Sequence, residues 1–270
     1  MNGTPLELRP MGIGDIYDTG FRMYRNRFAV FLIIALAAYI PFGIVQVIFL
    51  QMAAAGEAGA VNPLVAFSGV LLLFLLMFII LPLCQGAMIH QISSSYLGEQ
   101  IGAVESYRRA LPRLVRLLIA NILAGIIIMI GFVLLIVPGI IFSLWFLVIT
   151  AVVMLEDTSA TGSLGRSKDL MSGNLGKGFM VALVGGLIAL GAGILGGIAA
   201  DMLPAEALIA RAAIDTFVSA AILPIQTAAL ILFYYDLRIR KEGFDLQQLS
   251  EQLDRSSAVA DSGPPAPLAS

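Results

Sequence analysis

Charge is scarce in this sequence. Of its 270 residues, 13% are Asp, Glu, Lys or Arg, about half of what a soluble domain carries. So few charges cannot cover a water-facing surface, which excludes an ordinary soluble globular protein. Cysteine and histidine are scarcer still, with Cys84 and His90 each standing alone. A lone thiol makes no internal disulfide, so it gives no information on redox compartment. A lone histidine without acidic neighbours in sequence makes neither a metal centre nor an acid–base pair. The chain has no phosphate loop, zinc spacing, cofactor fingerprint or nucleic-acid signature. No catalytic, metal or cofactor-binding residue is expected, and the chain reads as a non-enzyme. No cleavable leader is expected either: the first 27 residues are polar and charged, and the apolar run that follows is too long for a leader's core.

What is abundant is apolar sequence, at 59% of residues and a mean hydropathy of +0.93. About 20 apolar residues cross the hydrocarbon of a bilayer. Such runs occur at 28–50, at 64–84 with a continuation toward His90, at 179–200 and at 214–235. Between Arg116 and Glu156 no charge occurs at all. That stretch holds two crossings, with the turn expected at Val137-Pro138-Gly139. The fold class is therefore an all-α integral membrane protein of six transmembrane helices. Of the 16 Lys and Arg residues, all but Arg211 fall on the side that would hold both termini. The positive-inside rule then expects a multi-pass inner-membrane protein with both termini cytoplasmic. The chain divides into a cytoplasmic N-terminal amphipathic segment (1–27), a six-span membrane domain (28–235), a charged cytoplasmic segment (236–255) and a Pro-, Ala- and Ser-rich tail (256–270) expected to be disordered.

One unit recurs three times: an amphipathic cytoplasmic segment, a span out and a span back, so that the spans form three hairpin-like repeats. In the first segment Ile13, Ile16, Tyr17, Phe21, Tyr24 and Phe28 share a helical face. In the second Val104, Tyr107, Leu111, Leu114 and Val115 do, with Pro112 bending the chain into the third span. In the third the stripe is Leu164, Met171, Leu175 and Phe179. Such segments are expected to lie at the interface, where anionic phospholipids attract their basic residues. Each returning span carries a proline, Pro82, Pro138 or Pro224, which acts either as a hinge beside a cavity or as a static kink. Gln85 and Gln226 follow two of these prolines closely and should face one interior, as a polar lining or as interhelical hydrogen bonds. Gly185, Ala189, Gly193 and Gly197 make a small-residue face on the fifth span that suits close helix packing.

At the end of the last run, Tyr234 and Tyr235 suit an interfacial aromatic belt, and Arg238, Arg240 and Lys241 suit anchoring. Two other roles stay open. Asp236 could lock the bundle end by pairing with an arginine, or Tyr235, Asp236, Arg238 and Arg240 could bind a lipid headgroup, since arginine's fork suits phosphate. The stretches FYYDLRIRKEGFDL (233–246), GDIYDTGFRMYRNRF (14–28) and VVMLEDTSATGSLGRSKDLMSGNLGKG (152–178) resemble the bacterial membrane domain that accompanies some glycerophosphoryl diester phosphodiesterases, in its stand-alone form. The resemblance covers about residues 7–250. It implies a six-span bundle without the catalytic barrel, and so without the phosphodiesterase activity. The role expected is non-enzymatic, structural, accessory or lipid-handling; the alternative is a transporter or permease for a small or lipid-like solute. The partners expected are the bilayer, anionic phospholipids, and another membrane protein or a second copy, with no nucleic acid.

Overall fold

A computed structural model describes residues 11–54, 63–96, 99, 101–204 and 206–242. The expected structure of 243–270 and of the first ten residues lies outside the described residues. Helix α1 (Ile13–Asn26) leads into α2 (Phe28–Ala54), the first span. The second span is continuous from α3 (Pro63–Leu75) through a π-helical turn (Leu76–Ile80) into α4 (Leu81–Tyr96). Helix α5 (Ala103–Ala110) reaches α6 (Leu114–Leu134), the third span, through a 3₁₀ turn (Leu111–Arg113) that contains Pro112. The fourth span is split into α7 (Ile136–Trp145) and α8 (Ile149–Leu155). A polar helix, α9 (Ala160–Met171), precedes the fifth span α10 (Leu175–Asp201), and α11 (Leu208–Glu242) is the sixth. Among the described residues six helical segments are long and apolar enough to cross a membrane, and there is no strand. The protein is an all-α, multi-pass membrane protein.

The repeat is visible as α1–α2–α4, α5–α6–α8 and α9–α10–α11, each a short helix followed by two spans. Both ends of the described chain lie at one end of the bundle, where Met11 touches residues of α10 and α11. This basic end carries most of the buried core, including Phe31, Ile34, Met88, Ile92, Met154, Leu170, Phe233 and Tyr234. Toward the opposite end the spans turn large apolar residues outward, such as Val133, Leu187, Leu190 and Ile194. That is the surface a lipid-facing bundle needs. The axis is α11, which contacts α1, α2, α4, α8, α9 and α10.

Several expectations change at the level of elements. The turn between the third and fourth spans falls at Leu135, whose extended backbone separates α6 from α7. Pro138 therefore sits in the first turn of α7, where a missing N–H costs nothing, and kinks no span. Gly139 is what the turn requires: a Cβ there would collide with the Phe132 ring. The last span is longer than 214–235, because α11 begins at Leu208 and runs unbroken to Glu242. The amphipathic face of α1 divides: Ile16 and Tyr24 are buried, while Phe21 and Phe28 point outward. Gly20 lets α1 cross α11 closely, with the Ala228 methyl 3.3 Å from where a Cβ would stand. Val104 of α5 and Leu111 of the 3₁₀ turn after it face outward, and Tyr107 of α5 turns inward to donate to the Ile34 carbonyl at 2.7 Å.

Candidate functional site

Successive residues of a helix point about 100° apart, so three consecutive side chains can address three different neighbours. Tyr234, Tyr235 and Asp236 do so at the basic end of α11. The Tyr234 hydroxyl donates to Glu156 Oε1 at 2.8 Å, beyond the end of α8. The Tyr235 hydroxyl shares a 2.7 Å hydrogen bond with Ser93 of α4. Asp236, 0% exposed, accepts from Lys177 of α10 at 2.5 Å, from Arg240 one turn later at 3.0 Å and from the Met11 N–H at 2.8 Å. Lys177 also donates to the Met11 carbonyl at 2.6 Å. One carboxylate thus holds the start of α1, the first turn of α10 and α11 together.

A second set of charges flanks the first. Arg166 of α9 pairs with Glu156 at 2.7 Å and with Glu242 at the end of α11, and Arg238 also pairs with Glu242, at 3.0 Å. Partial burial works to lower the pKa of Arg166, but its hydrogen bonds with Glu156 and Glu242 outweigh burial and raise it. The cation is permanent, so the α8–α9–α11 tie persists at any physiological pH.

These contacts correct the reading of Tyr234 and Tyr235 as an aromatic belt. A belt tyrosine meets headgroups, whereas these rings are 0% and 4% exposed and face neighbouring helices. Of the four residues considered for a headgroup, Tyr235 and Asp236 are buried and Arg238 and Arg240 are engaged in ion pairs within the bundle.

Gln85, Pro224 and Gln226 come together in mid-bundle. The fourth span breaks at Phe146–Val148, and the break borders a small cavity of about 80 Å³. Its polar wall is Gln85 of α4, Thr150 of α8 and Gln226 and Thr227 of α11. Pro224 lies beside the cavity-lining Leu223, two residues before Gln226, and is buried within α11. The Gln226 amide donates to the Gly185 carbonyl on α10 at 3.1 Å, so this side chain is both lining and interhelical bond. Pro82, the second residue of α4, stands just past the π-helical turn Leu76–Ile80, and local π adjustments help to re-satisfy backbone groups that a membrane-helix proline frees.

Gln226 and Leu223 also line a second cavity, of about 160 Å³, nearer the opposite end. Its other walls include Tyr39 of α2, Ala189, Gly193 and Gly196 of α10, and Asp215 and Ser219 of α11. The small-residue face of α10 therefore has two uses. Gly185 and Gly196 give close approach to Tyr17 and Val218 respectively, while nothing lies within 4 Å of a Cβ at Gly193 and the space there is cavity.

The glutamines are legible in the sequence through their spacing from the prolines. The break at Phe146–Val148 is not, because no proline or glycine signals it. Asp215 is also missed by sequence reasoning: it stands next to the start of the apolar run 214–235, yet it lies two turns inside α11. His90 is buried and its Nε2 has no hydrogen-bond partner among the described residues. No group of His, Cys, Asp and Glu suited to a metal ion occurs among the described residues.

No curated protein and no solved structure matches this chain. The sequence model of a domain of unknown function, DUF7847, matches residues 100–237, from the approach to α5 through Asp236. That match takes in the second repeat, the third as far as residue 237, the break in the fourth span, Gln226 and the Tyr234-Tyr235-Asp236 triplet itself, and stops short of Arg240. It covers half of the sequence, and the chain belongs to the DUF7847 family.

Proposed function

We propose that the chain is a non-enzymatic permease of the bacterial inner membrane that passes a small polar solute, with both termini in the cytoplasm. The observation that carries this reading is the pair of cavities, each with polar side chains in its wall, that meet at Gln226 beside a broken span. Discontinuous helices beside a mid-membrane cavity are a recurrent feature of carriers. Measured along α11, Gln226 lies ten residues from Asp236, about 15 Å at 1.5 Å per residue, roughly halfway through the hydrocarbon. The Lys177–Asp236–Arg240 and Glu156–Arg166–Glu242 contacts would then close the cytoplasmic end. The stand-alone membrane-domain resemblance is compatible with this role and supplies no reaction of its own.

The test is reconstitution into liposomes and measurement of glycerol, urea and guanidinium movement. Wild-type protein should carry at least one of them several-fold faster than empty liposomes. Gln226→Leu and Gln85→Leu should return that rate to background while keeping the same melting curve in detergent. Wild-type rates equal to those of empty liposomes for all three solutes would sink the reading.

A lipid-handling role draws on a different observation. Helices α2 and α11 diverge into an apolar groove of about 530 Å³, lined by residues such as Ile44, Ile209 and Phe217 and open to the surrounding lipid. Native mass spectrometry should then find a phospholipid that stays bound at one per protein and is lost on Gly43→Phe.

A further inference from the structure

The opposite end of the bundle has an unusual charge balance. Among the described residues there, Asp201, Glu206 and Asp215 stand against Arg211 alone, three acids less one base, or −2. Asp201 and Arg211 face each other at 3.6 Å, and Arg211 also donates to the Leu203 carbonyl at 2.8 Å. Arg211 is thereby directed away from Asp215, although the two are one turn apart. Among the described residues Asp215 has no ion pair and no hydrogen bond. It lines the 160 Å³ cavity together with Tyr39, Ser219 and Gln226.

An ionised carboxylate at the margin of a membrane is costly to keep unless it is solvated or meets a cation. This one is 21 residues from Asp236, about 32 Å along the helix, which puts it at the far edge of the hydrocarbon. Below it, the polar side chains lining the way to mid-membrane are neutral and offer an oxygen: Tyr39, Ser219, Gln226, then Thr150 and Gln85. Among the described residues no basic side chain lines either cavity. An anion would meet repulsion at the mouth and find no charged partner below it. A small cation with N–H donors would meet attraction at the mouth and acceptors inside.

We propose that Asp215, with Tyr39, Ser219 and Gln226, forms the receiving site for a small organic cation bearing N–H donors. This inference rests on the permease reading and names its substrate class. The cavity's volume limits the solute to a handful of heavy atoms, and its negative rim raises the local cation concentration in the manner of an electrostatic funnel.

Guanidinium and urea make a matched pair of probes, since they share a planar shape and nearly the same size but differ in charge. Radiolabelled guanidinium exchange at equal concentrations inside and outside liposomes avoids net charge movement. Wild-type protein should exchange guanidinium at least about tenfold faster than urea, the minimum expected of attraction by one carboxylate near a protein surface. Asp215→Asn should abolish that preference and leave urea movement within about twofold, and Asp215→Glu should restore it. Asp215 makes no bond that folding needs, so the neutral variant should keep its structure. Gly193→Leu provides a second arm: a Cβ there meets nothing within 4 Å, and the larger side chain should occupy the cavity and block both probes. Urea moving as fast as guanidinium, or guanidinium exchange unchanged in Asp215→Asn, would overturn the cation site while leaving the permease reading intact. No movement of guanidinium, urea or glycerol in wild-type protein would remove both, and glycerol movement without either probe would overturn the cation site alone.

Discussion

Asp236 is the residue on which the basic end depends most. A buried carboxylate with two cationic partners is a poor source of net stability, because desolvation offsets much of the attraction. Removing it is another matter, since Lys177 would remain among apolar neighbours without its counter-ion. Asp236→Asn should therefore cost about 3–5 kcal/mol, read as an earlier thermal transition in detergent. Pairing it with Lys177→Gln should recover part of that loss, because the second change removes the stranded charge. Tyr235→Phe deletes one hydrogen bond to Ser93 and should cost about 1 kcal/mol. The motif itself is legible in the sequence as a dense cluster of acid, base and tyrosine at a span's end. Its meaning is not, because three consecutive side chains point in three directions and the sequence does not say which helix lies in each. An interfacial belt and an internal clasp use the same residue types at the same depth, and only the neighbours distinguish them.

Among the elements, the split fourth span and the first helix matter most. The six spans are plain in the sequence because a run of twenty apolar residues suits the interior of a bilayer and little else. The break at Phe146–Val148 is invisible there because no breaker residue marks it; tertiary contacts, such as Ser167 donating to the Trp145 carbonyl at 2.7 Å, help to satisfy the local backbone. Proline content misleads in the opposite direction. Pro138 shares its sequence setting with Pro82 and Pro224 but belongs to a helix start, whereas Pro41, outside that pattern, sits inside α2. Helix α1 docks through its buried face and through Tyr17, which donates to the Val181 carbonyl at 2.5 Å. Burial raises the Tyr17 pKa above its ordinary 10.0. The folded state thus holds that proton more tightly than the unfolded state. The contribution is complete below pH 10 and falls only as the pH rises beyond it toward the folded value. Tyr17→Phe should flatten that alkaline decline, as measured by proteolysis of α1 across a pH series. Gly20→Leu should detach α1 at every pH, because its side chain would enter the space held by Ala228 and Leu232.

For the whole molecule, the asymmetry between a densely packed basic end and a loosely packed opposite end predicts how the protein labels and opens. Cys84 is buried, with its Sγ 3.5 Å from the Ile34 carbonyl. A membrane-permeant maleimide should leave it unmodified until the protein is denatured in SDS. In a Cys84→Ser background, Arg108→Cys and Glu206→Cys should react with an impermeant maleimide from opposite faces of the membrane. Reaction of both from the same face would contradict six crossings. Hydrogen exchange should be slowest in the final third of α11, where the clasp and the core coincide, and faster in the outward halves of α6 and α10.

The hydrogen bond from Met11 to Asp236 joins positions 225 residues apart, and this bears on how the protein is made. A ribosome releases the N-terminal helix long before the residue that receives it. While the intervening spans are inserted, Ile16, Met23 and Tyr24 have no α11 to cover them. The nascent chain must therefore wait, with α1 on the membrane surface or held by a chaperone, until the sixth span arrives. Chains that stop short of Asp236 should be degraded as orphans even though five of their six spans are already in place.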